Sequence, residues 1–173
     1  MFLSNEKVAV IIPVFNGIGT IERCLSSVCK QTYPISKIIV VDDGSTDNTL
    51  SYLKKNYDNS IEIFSQKNKG PAAARNYALK LSDIDWLAFL DADDWWEENK
   101  IEKQIHFAKT TFADFIWCNG YYSDYNKKII IHNYNQIEND YRIKNGIIKS
   151  IFGFKKRNAF SFPSASFFKR NSF

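Results

Sequence analysis

Three short apolar runs, each broken off by acids or turn residues, constrain this chain more than any other feature. Val8-Ala9-Val10-Ile11-Ile12 stops at Pro13, and Lys37-Ile38-Ile39-Val40-Val41 stops at Asp42-Asp43-Gly44-Ser45. Trp86-Leu87-Ala88-Phe89-Leu90 runs straight into Asp91-Ala92-Asp93-Asp94. Uninterrupted apolar runs of this length suit strands buried on both faces, as in parallel sheets. Helical patterns lie between them. Ile21, Leu25 and Val28 share one helix face. Ser45 or Thr46 is placed to cap a helix with Asp47 in its first turn and Leu50 and Leu53 as core contacts. Pro71 opens a helix-forming stretch over 72–81. With Ile61-Glu62-Ile63-Phe64 as a further strand, the alternation predicts an α/β fold whose mainly parallel sheet is flanked by helices.

Downstream, 97–108 reads as a helix with Ile101, Ile105 and Ala108 on one side. Residues 115–122 and 128–132 read as strands around a turn at Asp124-Tyr125-Asn126. Beyond Asn133 the pattern weakens, with 143–154 read as helical and 160–169 as extended. The 173 residues suffice for a single domain with its own core.

Charge is unevenly distributed. Residues 1–100 carry 11 Lys/Arg against 14 Asp/Glu, whereas residues 101–173 carry 12 against 5. The front part thus concentrates carboxylates, as a cation site would, and the back part is basic and aromatic. No apolar run approaches the roughly 20 residues of a membrane span. The start lacks the basic-then-apolar pattern of a secretory signal. Cys24, Cys29 and Cys118 have no zinc-ligand spacing, and they read as buried thiols in a reducing cytosol.

The polar clusters sit where strands end, and in an open parallel sheet those ends form the ligand crevice. Asp91 and Asp93, two residues apart at a strand end, can point to one side. Two adjacent carboxylates repel unless a cation relieves them, and a hard divalent ion suits their oxygens. The competing reading is that these acids cap a helix near Trp95. Asp43 can accept a hydrogen bond from a base or ribose, or form a turn with Gly44. Phe15 can stack on a base or serve the core. Arg75 can reach a phosphate, or lock Asp43 or Asp91 in place. Neither Gly-x-Gly-x-x-Gly nor Gly-Lys-Ser/Thr occurs, which disfavours dinucleotide and P-loop sites. His106 and His132 read as structural.

Together these segments resemble family 2 glycosyltransferases. The likeness rests on Val10-Ile11-Ile12-Pro13-Val14-Phe15-Asn16, on Cys24-Leu25-Ser26-Ser27-Val28 with Gln31-Thr32-Tyr33-Pro34, and on 38–47. It continues through Asn68-Lys69-Gly70-Pro71-Ala72-Ala73-Ala74-Arg75-Asn76 and Phe89-Leu90-Asp91-Ala92-Asp93-Asp94-Trp95. A weaker likeness follows at 161–170, a small-residue strand ending in a basic pair. Each motif alone is ordinary, and their order and spacing over about 8–104 are specific.

The resemblance implies a GT-A fold, a Rossmann-like sandwich, with 1–110 as the nucleotide-sugar-binding half and 111–173 as an incomplete acceptor-side half. It implies that Pro13 and Phe15 line the base pocket, with Asn16, Asp42 and Ala92 in the same nucleotide-sugar site. Asp43 is expected to hydrogen-bond the base, usually uracil, and Arg75 to lie beside base and phosphate. Asp91 is expected to contact ribose or metal, and Asp93 to bind Mn²⁺ or Mg²⁺ on the diphosphate. The implied reaction inverts the anomeric carbon.

In this family the general base follows the basic-pair strand, whereas here no acid follows Asp140. The base is therefore expected beyond Phe173, and this chain to bind donor and transfer poorly. The alternatives are a non-catalytic nucleotide-sugar-binding module and a nucleotidyltransferase. The latter would carry a basic Gly-rich loop where Phe15-Asn16-Gly17-Ile18-Gly19 stands. The expected partners are a nucleotide-sugar donor and a glycan or lipid-linked acceptor of bacterial surface polysaccharide, lipopolysaccharide or capsule. Nucleic acid is not expected. Lys155-Lys156-Arg157 among Phe152, Phe154 and Phe160 suits peripheral membrane contact. An aromatic C-terminal half suits self-association, and the expected location is cytoplasmic, at the inner face of the membrane.

Overall fold

The computed structural model describes residues 6–118, 121–123, 129–131, 164 and 166–170. Four parallel strands come first: β1 (Val8–Val14), β2 (Lys37–Asp42), β3 (Glu62–Ser65) and β4 (Trp86–Phe89). They alternate with α1 (Ile21–Cys29), α2 (Thr49–Tyr57) and α3 (Pro71–Leu81). After α4 (Lys100–Thr111) come β5 (Phe115–Trp117), β6 (Tyr121–Ser123), β7 (Ile129–Ile131) and β8 (Ser166–Lys169). The main sheet has the order β3-β2-β1-β4-β8-β5, with β8 antiparallel to both neighbours, and β6 pairs β7 antiparallel.

The two-residue periodicity of a strand divides the core into two layers. Val8, Val10, Ile12 and Val14 pack with Ile21 and Leu25 of α1, Leu53 of α2, and Ile101, Ile105 and Ala108 of α4. Ala9 and Ile11 face the other way, with Ala74 and Ala78 of α3, Leu87, Phe89 and Phe168. The small residues of α3 let it lie close to the sheet, which brings its first turn to the crevice.

The chain runs outward from β1 to β2 and β3, then returns to β4 on the opposite side of β1. The connections after β1 and β4 therefore run toward opposite edges of the sheet, and at such a reversal the carboxyl ends of the parallel strands form a crevice.

Several expectations need correction. Pro13 does not end β1; it lies buried within it, in register with Val41. Pairing with β4 closes at Leu90 N–H to Ile11 O, so the position facing that side two residues later needs no donor, and proline is tolerated. Helix α2 starts after Asn48, because Ser45 and Thr46 are engaged by Asn16 instead. Within α2, Leu53 reaches the core while Leu50 is only half-buried. Helix α4 likewise begins after Asn99, so the acids of 91–94 do not cap it. The strand expected over 115–122 is two, β5 in the main sheet and β6 in the hairpin. Cys24 is buried and Cys118 half-buried, but Cys29 is exposed. The turn at 124–126, the helix expected over 143–154 and the basic-aromatic stretch 152–160 lie outside the described residues. The extended reading of 160–169 is met by β8 over its described part. Among the described residues no helix is long and apolar enough to cross a membrane.

Candidate active site

Three loops meet at the crevice, and the residues that build them divide by what their polar groups contact. The loop after β1 turns at Asn16, whose φ of 52° is tolerated better by asparagine than by most residues. Its side-chain oxygen accepts from the N–H groups of Thr46 (2.7 Å) and Asp47 (3.2 Å), while its own N–H donates to Ser45 Oγ. Gly17 N–H donates to Thr49 Oγ1 at 2.9 Å. Asn16 thus ties the β1 loop to the β2 loop. Phe15 beside it is 49% exposed, an apolar ring left at the crevice.

Asp42 and Asp43, at the end of β2, are 1% and 2% exposed. Asp42 accepts from Ser45 N–H and Ser65 Oγ. Asp43 accepts from Gln66 Nε2 (2.7 Å), Lys69 N–H (2.9 Å) and Gly70 N–H (2.7 Å). Gly44 lets these loops close up: its φ is +75°, and a Cβ there would meet Asn68 N at 2.8 Å. Holding Gly70, which has φ of 87° and precedes Pro71 at the first position of α3, fixes where that helix starts. Arg75 then falls one turn in, 5% exposed, with its guanidinium paired to Asp91 Oδ1 and 5.7 Å from the Phe89 ring centroid. Its Nε is buried with no hydrogen-bond partner. Of the two carboxylates that Arg75 could lock, the structure chooses Asp91.

The turn after β4 is held from four directions. Arg75 takes the Asp91 carboxylate, which keeps 29% side-chain exposure. Arg23 of α1 donates to the Asp93 carbonyl at 2.9 Å and lies over the Trp95 ring at 4.2 Å. Cys24 Sγ approaches the Asp91 carbonyl at 3.6 Å from below. Ser164 accepts from Asp91 N–H at 2.9 Å. Asp93 is exposed, and its carboxylate makes no hydrogen bond or ion pair to a described residue. Ala92 is half-buried, 3.7 Å from where a Cβ on Gly17 would stand, so the β1 and β4 loops touch. Burial pushes the Asp94 carboxyl above the usual carboxylate range; the Ser164 hydroxyl offsets part of this, and Asp93 and Asp91 add to it. Burial likewise drives the Cys24 thiol far up, so it is an inert packing group.

The motif residues 24–34 turn out to brace the segment that follows the acids. Ser27 Oγ accepts from Trp96 N–H at 3.1 Å. Gln31 donates to the Glu97 carbonyl and accepts from Ile101 N–H. Thr32 N–H donates to the Glu98 carbonyl at 2.8 Å. Sequence reasoning did not single out Ser27, Gln31 or Ser164 for these tasks, because a serine or glutamine carries no sign of what it will meet 70 residues away.

The donor set suits a hard divalent ion shared with a ligand. Asp93 and one oxygen of Asp91 offer carboxylate oxygens, and among the described residues no group of three or more His, Cys, Asp or Glu could enclose an ion alone. The remaining positions would fall to ligand oxygens and water.

A family model described as "Glycosyl transferase family 2" matches residues 9–173. The curated relative "UDP-Glc:alpha-D-GlcNAc-diphosphoundecaprenol beta-1,3-glucosyltransferase WfgD" of Escherichia coli is 35% identical over 93% of this chain and 66% of its own length. The "Putative teichuronic acid biosynthesis glycosyltransferase TuaG" of Bacillus subtilis is 41% identical over 61% of this chain and 44% of its own. Among solved structures, S. aureus TarS 1-349 in complex with UDP-GlcNAc is similar at a TM-score of 0.56 and 31% identity, covering 63% of this chain and 33% of that one. The mannosyltransferase PcManGT of Pyrobaculum calidifontis, in complex with GDP-Man and Mn2+, is similar at 0.60 and 25% identity, covering 66% and 36%. The chain thus spans less than two thirds of the length of each of these proteins.

Proposed function

The chain belongs to glycosyl transferase family 2, and from that premise we propose that it binds a UDP-sugar in the crevice between the β1, β2 and β4 loops and serves sugar transfer, with inversion, to a glycan or lipid-linked acceptor of a bacterial surface polysaccharide. The observation that carries this reading is the Asp91–Asp93 turn. It sits at the carboxyl end of β4, beside the point where the strand order reverses, with Asp93 exposed and Asp91 oriented by a buried arginine.

Asp93 and Asp91 would hold Mn²⁺ or Mg²⁺ there. Such an ion, when bound, neutralises a diphosphate and so improves it as a leaving group. The chain's own residues do the positioning. Asp43 fixes the start of α3, α3 presents Arg75, and Arg75 holds Asp91 in a single orientation. Phe15 offers its exposed ring to the base, and the half-buried Ala92 lines the same nucleotide-sugar site beside the β1 loop. Pro13, Asn16 and Asp42 shape the wall behind these contacts. The names of the WfgD relative and of the TarS complex support a uridine donor, and the WfgD name supports a lipid-linked acceptor. The PcManGT complex supports the metal.

Calorimetry of the whole chain with UDP, with and without Mn²⁺, tests the reading without needing an acceptor. Micromolar UDP affinity that weakens sharply but stays measurable with a chelator is expected, and absence of UDP binding in the presence of Mn²⁺ refutes the proposal. Turnover or slow hydrolysis of a UDP-sugar then separates an enzyme from a binding module.

A further inference from the structure

We propose that Ser164 is the positioning residue that sets the geometry of the acid turn, making the ion-binding pair dependent on the strand that crosses from the C-terminal part of the chain. The proposal rests on the donor-binding reading above and adds a residue to it. Ser164 lies two residues before β8, at a position 9% exposed. Its hydroxyl accepts from Asp91 N–H at 2.9 Å and donates to Asp94 Oδ2 at 2.5 Å. Its carbonyl accepts from Trp96 Nε1 at 2.8 Å. One residue thereby grips the first acid of the turn, the last acid, and the buried tryptophan that follows.

The two hydroxyl bonds use both capacities of a serine in a fixed sense, one as acceptor and one as donor. With Asp91 N–H and the Asp94 carboxylate pinned to one oxygen atom, the intervening Ala92–Asp93 segment has its two ends fixed. Asp94 N–H donates back to the Asp91 carbonyl at 3.0 Å and closes the turn. In this arrangement Asp94 faces Ser164 while Asp93 is left exposed. Releasing the Ser164 contacts removes the side-chain hydrogen bonds to the Asp94 carboxylate and to Asp91 N–H among the described residues, so the direction in which Asp93 projects is left to the Arg23 bond at its carbonyl and the backbone bond that closes the turn. Residues that orient metal ligands typically matter tenfold to a hundredfold in metal affinity without touching the ion. Because Ser164 lies two residues before β8, which inserts between β4 and β5, the donor-side turn is completed only when the C-terminal strand has docked.

The test compares Ser164→Ala and Ser164→Thr in the whole chain, with two measurements. UDP titrations with and without Mn²⁺ should show Ser164→Ala weakening the Mn²⁺-dependent affinity about tenfold, with metal-free affinity unchanged and Ser164→Thr restoring it. Equal loss in both arms indicates general loosening and overturns the proposal, as does unchanged affinity. Hydrogen exchange at the Asp91 amide reads the geometry without nucleotide. It should speed up about tenfold in Ser164→Ala relative to wild type and return in Ser164→Thr. If wild type does not bind UDP, the donor reading fails, and the Ser164 assignment stands or falls on that exchange rate.

Discussion

Two acid pairs end two regions of one sheet, and their carboxylates meet opposite surroundings. Asp42 and Asp43 close β2 with carboxylates that are almost fully buried and covered by donors from the β2 and β3 loops. Asp91 and Asp93 follow β4 with one carboxylate half-engaged by Arg75 and the other exposed. A carboxylate whose lone pairs are already taken by backbone N–H groups acts as a structural brace, whereas one left open can receive a ligand or an ion. The difference arises from surroundings. The β2 end is enclosed by the tight passage of 66–70 past Gly44, whereas the β4 end faces the gap where the strand order reverses.

The sharpest way to break this contrast is to remove the brace. Asp43→Ala should cost about 3 kcal/mol of stability, because Lys69 and Gly70 N–H groups lose a charged acceptor. For a chain of this size that corresponds to a melting temperature lower by roughly 9 °C. A variant that melts like wild type but no longer binds UDP would instead place Asp43 with the ligand-facing acids. Asp93→Asn should do the reverse, weakening Mn²⁺-dependent UDP binding by about 100-fold, about 2.7 kcal/mol. Its melting temperature should stay at the wild-type value, since the Asp93 carboxylate touches no described residue. Asn16→Ala should cost about 1 kcal/mol in thermal denaturation, as the Thr46 and Asp47 N–H groups lose their acceptor at an exposed loop. The smallest effect is a labelling contrast. A thiol reagent should modify exposed Cys29 quickly and buried Cys24 only on unfolding, as mass spectrometry would show. Fast modification of Cys24 would mean that the floor beneath Asp91 is open.

Much of the fold was legible in the chain because its signals are local. The β-branched runs of β1 and β2 and the Ala-rich α3 announce themselves within a window of five to ten residues, and all appear at the expected places. The failures share a cause. Pro13 looked like a terminator because its missing N–H matters only where a neighbouring strand needs it, and β4 has already ended there. Ser45 and Thr46 looked like caps because a cap is a local preference, and Asn16, about 30 residues earlier, claims them. The site shows the same division. Asp91, Asp93 and Arg75 were readable as chemistry-bearing types at strand and helix ends, but which carboxylate Arg75 would hold was not.

Sequence alone therefore determined the alternation of strands and helices, the placing of acids at strand ends and the family likeness, since each depends on residue types at short spacing. The tertiary structure decided which acids are buried among donors and which are left exposed. It also recruited Ser27, Gln31 and Ser164 to hold the acid turn and inserted β8 beside β4. Those outcomes depend on contacts between segments remote in the chain, the Ser164 bond to Asp91 alone spanning 73 residues, which chain packing creates and no local pattern encodes.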